Sequence, residues 1–187
     1  MKLARTFLLA ALLCVTAPGL AAQPDPELRE ALRQAANESP SFTDRYHGEV
    51  WLTDMSSRLE RQVPDAEKRI EILKLVHMEA ARAELKPELV LAVIEVESNF
   101  DTYAVSSVGA IGLMQVMSFW KDEIGRPQDN LLHPSTNLRY GCTILRHYLD
   151  KENGDLRRAL GRYNGSLGKR KYPNKVITKL SEKWYQL

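Results

Sequence analysis

The chain has 187 residues, of which 44% are hydrophobic and 27% charged, and this length provides for one domain with a sizeable core. Its 26 lysine and arginine residues nearly balance 24 aspartate and glutamate residues, which leaves a formal net charge of +2. This balance excludes the strongly basic character that is typical of nucleic-acid-binding domains.

Residues 1–22 have the pattern of a secretory signal peptide. Lys2 and Arg5 form a charged start, residues 7–15 are mostly apolar, and a run of small residues ends at Ala22. The apolar run is far shorter than the roughly twenty residues that span a bilayer. We therefore expect cleavage near Ala22, export to the periplasm and no stable membrane insertion afterwards; an uncleaved anchor is the alternative.

Loss of the signal peptide changes the charge and the cysteine content. Without its two cations, lysine plus arginine falls from 26 to 24 against 24 acidic residues, so the net charge is about zero. Leu13 stands where a lipoprotein signal has a small residue, so we expect no lipid on Cys14. Cys142 then has no partner within the chain, and its helical apolar surroundings favour a small core residue over a reactive thiol.

Residues 23–62 predict an N-terminal helical extension, followed by a main domain at 63–187. The extension holds one helix near 27–36 and a second from about Asp44 to Gln62. Trp51 on the second helix is expected to pack in the core, with sugar stacking as the alternative. A further helix starts after Asp65, and its His77 is expected to be structural.

The central stretch begins with a helix from Pro87 to Glu97. Proline suits the first turn, and nearly every position between Leu89 and Val96 is apolar, which predicts a buried helix. Glu97 therefore points into the interior or into a cleft. Burial and the negative end of the helix dipole both raise the pKa of its carboxyl group, so it is a candidate general acid; the alternative is a buried glutamate paired with an arginine or an amide for structure.

A glycine-bearing loop follows this helix and ends at Gln115. Residues 100–111 predict either a short hairpin or an irregular loop. Gly112 permits a positive φ and a close approach of the backbone to a ligand. The amide of Gln115 offers donors and an acceptor for a sugar, and Leu113 and Met114 are candidates to line a wall of the cleft.

The rest of the chain predicts a polar connection and three more helices. The connection runs from Lys121 to Pro134, and the helices cover 134–153, 155–163 and 173 onward. Four scattered histidines lack the spacing of metal ligands, and we expect no metal and no cofactor. They are His47, His77, His133 and His147.

Three short segments resemble the signature motifs of the lytic transglycosylases, and most closely the catalytic domain of the soluble lytic transglycosylase (SLT) family. They are Glu97-Ser98, residues 109–115 and Tyr163-Asn164-Gly165. The resemblance covers about residues 65–180. It implies a mainly α, lysozyme-like domain of the goose-type lysozyme and SLT class, with a catalytic cleft. Arg162 departs from the family pattern, which usually has alanine there.

The resemblance also implies an activity and a set of site residues. The expected reaction cleaves the bond between N-acetylmuramic acid and N-acetylglucosamine in peptidoglycan, with Glu97 as the acid and base and a 1,6-anhydro sugar as product. The partners are glycan strands, and a cell-envelope assembly is a further candidate. The implied substrate-binding residues are Ser98, Gly112, Leu113, Met114, Gln115, Tyr163 and Asn164.

Two other functions remain open from the sequence. A hydrolytic muramidase would use the same glutamate with a second carboxylate that activates water. A catalytically inactive module would bind the cell wall through the same cleft. The nearby candidates for a second carboxylate lack a clear apolar environment; they are Asp101, Asp122, Glu123 and Asp129.

Overall fold

The computed structural model describes residues 26–185, so the predicted signal peptide and Cys14 lie outside the described residues. Within that range the chain forms eight α-helices and one two-stranded antiparallel hairpin, which confirms the mainly α class. The helices are α1 Pro26–Glu38, α2 Arg45–Leu59, α3 Ala66–Arg82, α4 Pro87–Glu97, α5 Trp120–Ile124, α6 Pro134–Lys151, α7 Leu156–Tyr163 and α8 Lys171–Lys179. The strands are β1 Ala110–Ile111 and β2 Val116–Met117, and a π-helical turn, Leu180–Trp184, continues α8.

The helix boundaries follow local capping chemistry. The carboxylates of Asp44, Asp65 and Asp155 accept hydrogen bonds from backbone N–H groups in the first turns of α2, α3 and α7. This satisfies donors that have no partner inside the helix. Pro87 and Pro134 occupy the first positions of α4 and α6, where the missing N–H costs nothing.

Helix α4 runs through the centre of the molecule. All seven residues from Leu89 to Glu95 are buried, as the apolar run predicts. Helices α3 and α8 and the π-helical turn pack against α4. Leu32 of α1 and Leu52 of α2 belong to the same buried cluster as α4, so the first two helices share one core with the helices that follow.

Two elements differ most from the sequence prediction. All of helix α5 after its first residue lies inside the segment predicted as a polar connection, and its five residues are too few to show a helical period. Helix α8 begins at Lys171, two residues before the predicted start at Pro173, because the first turn of a helix tolerates proline beyond its first position. Residues 100–111 form mainly an irregular loop with one isolated bridge between Val105 and Ile111, and the hairpin lies at its end, with Ala110 paired to Met117.

Trp51 and His77 pack against each other beside the start of α4, and Trp51 is partly buried against the core. The His77 ring stacks on Phe42 with centroids 3.8 Å apart, and Trp51 meets it edge-on at 5.0 Å. Burial lowers the pKa of His77 to about 4. The indole of Trp51 donates a hydrogen bond to Glu88 at 2.7 Å, which ties α2 to the start of α4.

Two further findings concern the sequence predictions. Cys142 is fully buried on α6, which confirms it as a core residue, and burial raises the pKa of its thiol. Among residues 26–185 no helix is long and apolar enough to cross a membrane.

Candidate active site

Glu97 is the last residue of α4, and its carboxyl group lies at the junction of α4 and α8. The residue is partly exposed, while its carboxyl oxygen Oε1 accepts a hydrogen bond from the Tyr172 hydroxyl at 2.5 Å. Burial raises the pKa of Glu97 to about 7, and the hydrogen bond from Tyr172 opposes this rise. At neutral pH the carboxyl group therefore exists in both protonation states, as an acid that later acts as a base requires.

No second carboxylate among the described residues shifts the pKa of Glu97. Its raised pKa reflects burial and Tyr172 only. Asp101 accepts a hydrogen bond from the backbone N–H of Tyr103 at 2.9 Å and so stabilises a turn. Asp129 accepts one from the Tyr140 hydroxyl at 2.5 Å. Asp122 and Glu123 are exposed in the first turn of α5.

The pKa of Glu95, two residues earlier on α4, is shifted in the opposite direction. Burial pushes its pKa upward, but hydrogen bonds and charges from Lys179, Lys183 and Trp184 outweigh burial and lower the pKa. The ammonium of Lys179 and the indole of Trp184 each lie 2.7 Å from a carboxylate oxygen. Glu95 therefore remains ionised and fixes α4 against α8, and this position holds Glu97 beside Tyr172.

Two hydroxyl groups connect the helices to the motif at 109–115. The Ser98 hydroxyl donates to the Leu113 carbonyl at 2.8 Å, and the Tyr163 hydroxyl donates to the Met114 carbonyl at 2.8 Å. The side chains of Leu113 and Met114 are fully buried. In this conformation they anchor the loop in the core, which corrects the expectation that their side chains line a wall of the cleft.

Asn137 of α6 holds the same loop and was not identified from the sequence. Its buried amide accepts a hydrogen bond from the Met114 N–H at 2.8 Å and donates to the carbonyls of Ile111 and Leu131, at 2.7 and 2.8 Å. Three backbone groups, two of them in buried contacts, thus depend on one side chain. The available signal was an asparagine one position before Leu138, on the apolar face predicted for α6.

Gly112 lies where no other residue fits. Its φ is +73°, and an added Cβ would lie 2.5 Å from Asn137 Nδ2 and 2.8 Å from the Leu131 carbonyl oxygen. Gly141 on α6 has a similar role, because a Cβ there would meet the Met114 side chain at 2.3 Å. These two glycines allow the loop to pack closely on α6.

Gln115 and Asn164 are the predicted polar contacts that remain nearest to solvent. Gln115 has a φ of +49° and donates through Nε2 to the carbonyls of Ala104 and Gly112, at 3.2 and 3.0 Å. Its Oε1 has no hydrogen bond to a described residue and remains available as an acceptor. Asn164 caps the end of α7 and is exposed.

Tyr172 is the second residue that sequence reasoning missed. It precedes Val176 by four positions and therefore shares the apolar face of α8, a pattern that also fits an ordinary core residue. Burial, followed by the charge of Glu97, raises the pKa of Tyr172 and of Tyr163 well above the usual value. Both phenols thus remain neutral hydrogen-bond donors around pH 7.

Arg162, the departure from the family pattern, does not reach Glu97 as a charge partner. Its guanidinium group pairs with the buried Glu152, which also pairs with Arg158. The charge of Arg162 is therefore balanced by Glu152 and not by Glu97. Among the described residues no group of His, Cys, Asp and Glu could hold a metal ion.

Comparisons with known proteins identify the family of the chain. The family model described as "Transglycosylase SLT domain" matches residues 74–184, more than half of the chain. A transglycosylase of Enterobacteria phage PRD1 is 33% identical over 109 residues, which are 54% of this chain and 40% of the phage protein. Membrane-bound lytic murein transglycosylase C of Yersinia pestis (strain Pestoides F) is 33% identical over 112 residues, 51% of this chain and 31% of the relative.

A solved structure also resembles the chain. An inactive mutant of the lytic transglycosylase Slt from Pseudomonas aeruginosa matches with a TM-score of 0.45 and 20% identity. The match covers 83% of this chain and 31% of that one. The chain thus spans less than half of the length of each of these three proteins.

Proposed function

Because this chain belongs to the transglycosylase SLT family, we propose that it is a lytic transglycosylase that acts on the glycan strands of peptidoglycan. The bond broken joins N-acetylmuramic acid to N-acetylglucosamine. The observation that carries the proposal is the carboxyl group of Glu97, with a pKa raised to about 7 and a hydrogen bond from a neutral tyrosine.

The first step is protonation of the leaving group. Protonated Glu97 donates its proton to the glycosidic oxygen, the bond to the muramic C1 breaks, and positive charge develops on the sugar ring. The acetamido group of the substrate can stabilise that charge. Glu97 is left as a carboxylate, which the Tyr172 hydroxyl stabilises at 2.5 Å.

The second step closes the anhydro ring. The C6 hydroxyl of the same muramic residue attacks C1, and its proton passes to the Glu97 carboxylate. The glutamate is thereby restored, and no water is consumed. One carboxylate suffices because the substrate supplies its own nucleophile at a high effective concentration. No other described carboxylate perturbs the pKa of Glu97. A single carboxylate fits this two-step reaction better than inverting or retaining hydrolysis, each of which uses a pair of carboxylates.

The remaining predicted site residues receive two kinds of role. Gln115, through Oε1, and Asn164 are proposed to hydrogen-bond the sugars directly. Ser98 and Tyr163 hold the carbonyls of Leu113 and Met114, so we propose that they act on the substrate through the position of the loop. Gly112 contributes its compact backbone to the same loop.

The place of action proposed for the enzyme is the periplasm, after cleavage of the signal peptide near Ala22. The basis is the charged, apolar and small-residue pattern of the first 22 residues. N-terminal sequencing of the exported protein tests it. A start between residues 21 and 25 without lipid supports the proposal, and a start at Met1 in the membrane fraction refutes it.

The decisive test of the reaction is digestion of purified peptidoglycan in ¹⁸O-labelled water, followed by mass spectrometry. We expect anhydromuramic products without heavy oxygen. The Glu97→Gln variant should release none. Glu88→Gln, the same change near the start of α4, should retain activity because a glutamine oxygen can still accept the Trp51 hydrogen bond.

Each other outcome identifies a different function. Heavy oxygen at the muramic terminus of most primary products would refute the transglycosylase and indicate a muramidase. Binding to peptidoglycan without any product from wild-type protein would indicate an inactive cell-wall-binding module.

A further inference from the structure

The turn that follows Glu97 has an unusual backbone conformation. Helix α4 ends at Glu97, and Asn99 and Phe100 then have φ angles of +50° and +67°. Both angles lie in the left-handed region, which glycine adopts readily and asparagine tolerates. A bulky residue such as phenylalanine adopts this region only at a cost in free energy, so the surrounding structure has to hold Phe100 in place.

The side chain of Phe100 anchors this turn. It is 3% exposed and belongs to the buried cluster that includes α4, whereas the neighbouring Asn99 is exposed. The ring of Phe100 lies against the indole of Trp184, with the ring centroids 5.7 Å apart and the ring planes at 56°. Burial of the two aromatic rings therefore offsets the cost of the left-handed backbone.

Trp184 contacts the chain on both sides of Glu97. It is the last residue of the π-helical turn, and it is fully buried. Its indole N–H donates to the carboxylate of Glu95, two residues before Glu97, at 2.7 Å. Its ring meets Phe100, three residues after Glu97. One side chain thus fixes both the last turn of α4 and the reversal of the chain behind it.

We propose that Phe100 and Trp184 are positioning residues for the proposed reaction, which hold the end of α4 so that the carboxyl group of Glu97 stays in contact with Tyr172. Both rings are buried, so they act through Glu97 and not on the substrate. This inference rests on the proposed function, because it gives the two rings a part in the same reaction.

Loss of this support should expose the carboxyl group of Glu97 to water. Burial is the main cause of its raised pKa, so exposure should lower that pKa from about 7 toward the ordinary value of 4.5. Two titratable groups face Glu97 from the neighbouring helices, Tyr163 of α7 and Tyr172 of α8. Both phenols remain neutral around pH 7, so their ionisation does not contribute to the expected change.

The charged groups of the neighbouring elements are held by Glu95. Lys179 of α8 and Lys183 of the π-helical turn lie 2.7 and 3.4 Å from its carboxylate oxygens. Trp184→Leu removes the indole hydrogen bond to this carboxylate as well as the ring, so that variant changes two contacts at once. Phe100→Leu removes one ring and leaves the contacts of Glu95 in place, which makes it the principal variant.

The first test is an NMR titration of the carboxyl carbon of Glu97, whose signal is assigned by its absence in Glu97→Gln. In Phe100→Leu and in Trp184→Leu the pKa of Glu97 should fall by about one unit, less than half of the rise that burial produces. Trp184→Phe keeps an aromatic ring against Phe100 and should stay closer to wild type than Trp184→Leu. This titration requires no substrate.

The second test measures kcat and KM for the release of anhydro products from soluble glycan fragments. Phe100→Leu should lower kcat by about ten-fold with a smaller change in KM, since a misplaced acid slows the reaction without removing a sugar contact. The alkaline limb of kcat/KM should move to lower pH, because the protonated form of Glu97 is lost earlier as pH rises.

Phe42→Leu is the matched control, because the ring of Phe42 stacks on His77, beside the start of α4 and away from Glu97. It should lower thermal stability and leave both kcat and the pKa of Glu97 unchanged. Asn99→Gly should also leave both unchanged, since glycine accepts a φ of +50° and the side chain of Asn99 is exposed. Circular dichroism confirms that each variant is folded.

Three outcomes decide between the possible roles of the two rings. Lower stability of Phe100→Leu with kcat and the pKa of Glu97 unchanged would refute the proposal and leave the rings a structural role. The same pKa shift in Phe42→Leu would assign the effect to a general loss of stability. A shift in Phe100→Leu without anhydro product from the wild-type protein would refute the transglycosylase and still support the positioning of Glu97. Phe100→Met, which fills the same space with a flexible apolar chain, gives the same test if Phe100→Leu does not fold.

Discussion

Replacing Glu97 by glutamine should stabilise the folded protein, and the gain should grow with pH. The pKa of Glu97 is raised from its ordinary value of 4.5 to about 7, mainly because the carboxyl group is buried. The folded chain therefore binds a proton more tightly than the unfolded chain, and stability falls as pH rises from about 4.5 to about 7. Glutamine keeps the shape and the acceptor for Tyr172 but cannot ionise.

The size of this effect follows from the pKa difference. Each pKa unit corresponds to about 1.4 kcal/mol, so full ionisation of Glu97 costs the fold about 3 kcal/mol above pH 7. At pH 5 most of this cost is absent, because the carboxyl group remains protonated in the folded state. The stability advantage of Glu97→Gln over wild type should therefore increase by about 2–3 kcal/mol between pH 5 and pH 8.

Urea denaturation followed by circular dichroism, at both pH values, measures this difference. Glu88→Gln serves as the control for removing one negative charge from α4. An advantage that is the same at both pH values would refute the argument that burial raises the pKa of Glu97. An advantage that decreases with pH would mean that the carboxylate stabilises the fold. Either result would also remove the physical basis for Glu97 as the acid.

Three further substitutions test the residues that hold the loop and Glu97 in place. Asn137→Ala should lower the free energy of unfolding by about 3 kcal/mol, because three backbone groups, two of them in buried contacts, lose their partner, and urea denaturation measures it. Gly112→Ala should reduce both activity and thermal stability, since the new Cβ meets the Asn137 amide and strains a backbone with φ +73°; wild-type activity in this variant would contradict the close packing. Tyr172→Phe should move the alkaline limb of the activity profile to higher pH, as measured on soluble glycan fragments.

Local chemistry made much of the fold predictable. Pro87 and the apolar run after it predict both the start of α4 and its burial, because each effect acts within one helical turn. The Asp155 cap and the turn at Asn164 likewise place α7 correctly. Helix α5 was missed because five residues do not establish a period. The position of Glu97 in a buried environment followed from the same local reasoning.

The contacts that complete the site were not predictable in this way. Tyr172 is separated from Glu97 by 75 residues and Asn137 from Met114 by 23. Hydropathy patterns give the face on which a residue lies, but not its partner across the fold. A tyrosine on an apolar face and an asparagine near one are each typical of ordinary packing. Only the approach of α8 and α6 to the end of α4 and to the loop gives these two residues their roles.

The expected shift in Tyr172→Phe follows from which form of Glu97 the hydroxyl stabilises. The phenol donates to Oε1 and so favours the carboxylate, against the larger opposing effect of burial. Its loss removes a hydrogen bond to a charged group, worth about 1.5–3 kcal/mol, and water replaces part of it. The alkaline limb of kcat/KM, near pH 7 in the wild type, should therefore move up by about one pH unit.

Tyr163→Phe is the matched control, because the Tyr163 hydroxyl donates to the Met114 carbonyl and not to Glu97. It should lower the rate through a looser loop and leave the alkaline limb in place. Active enzyme is lost as pH rises through the pKa of Glu97, so a raised pKa extends activity to higher pH in Tyr172→Phe alone. A limb that stays fixed in this variant, or moves to lower pH, would show that Tyr172 does not stabilise the carboxylate. Equal shifts in both variants would assign the effect to the packing of the two aromatic rings.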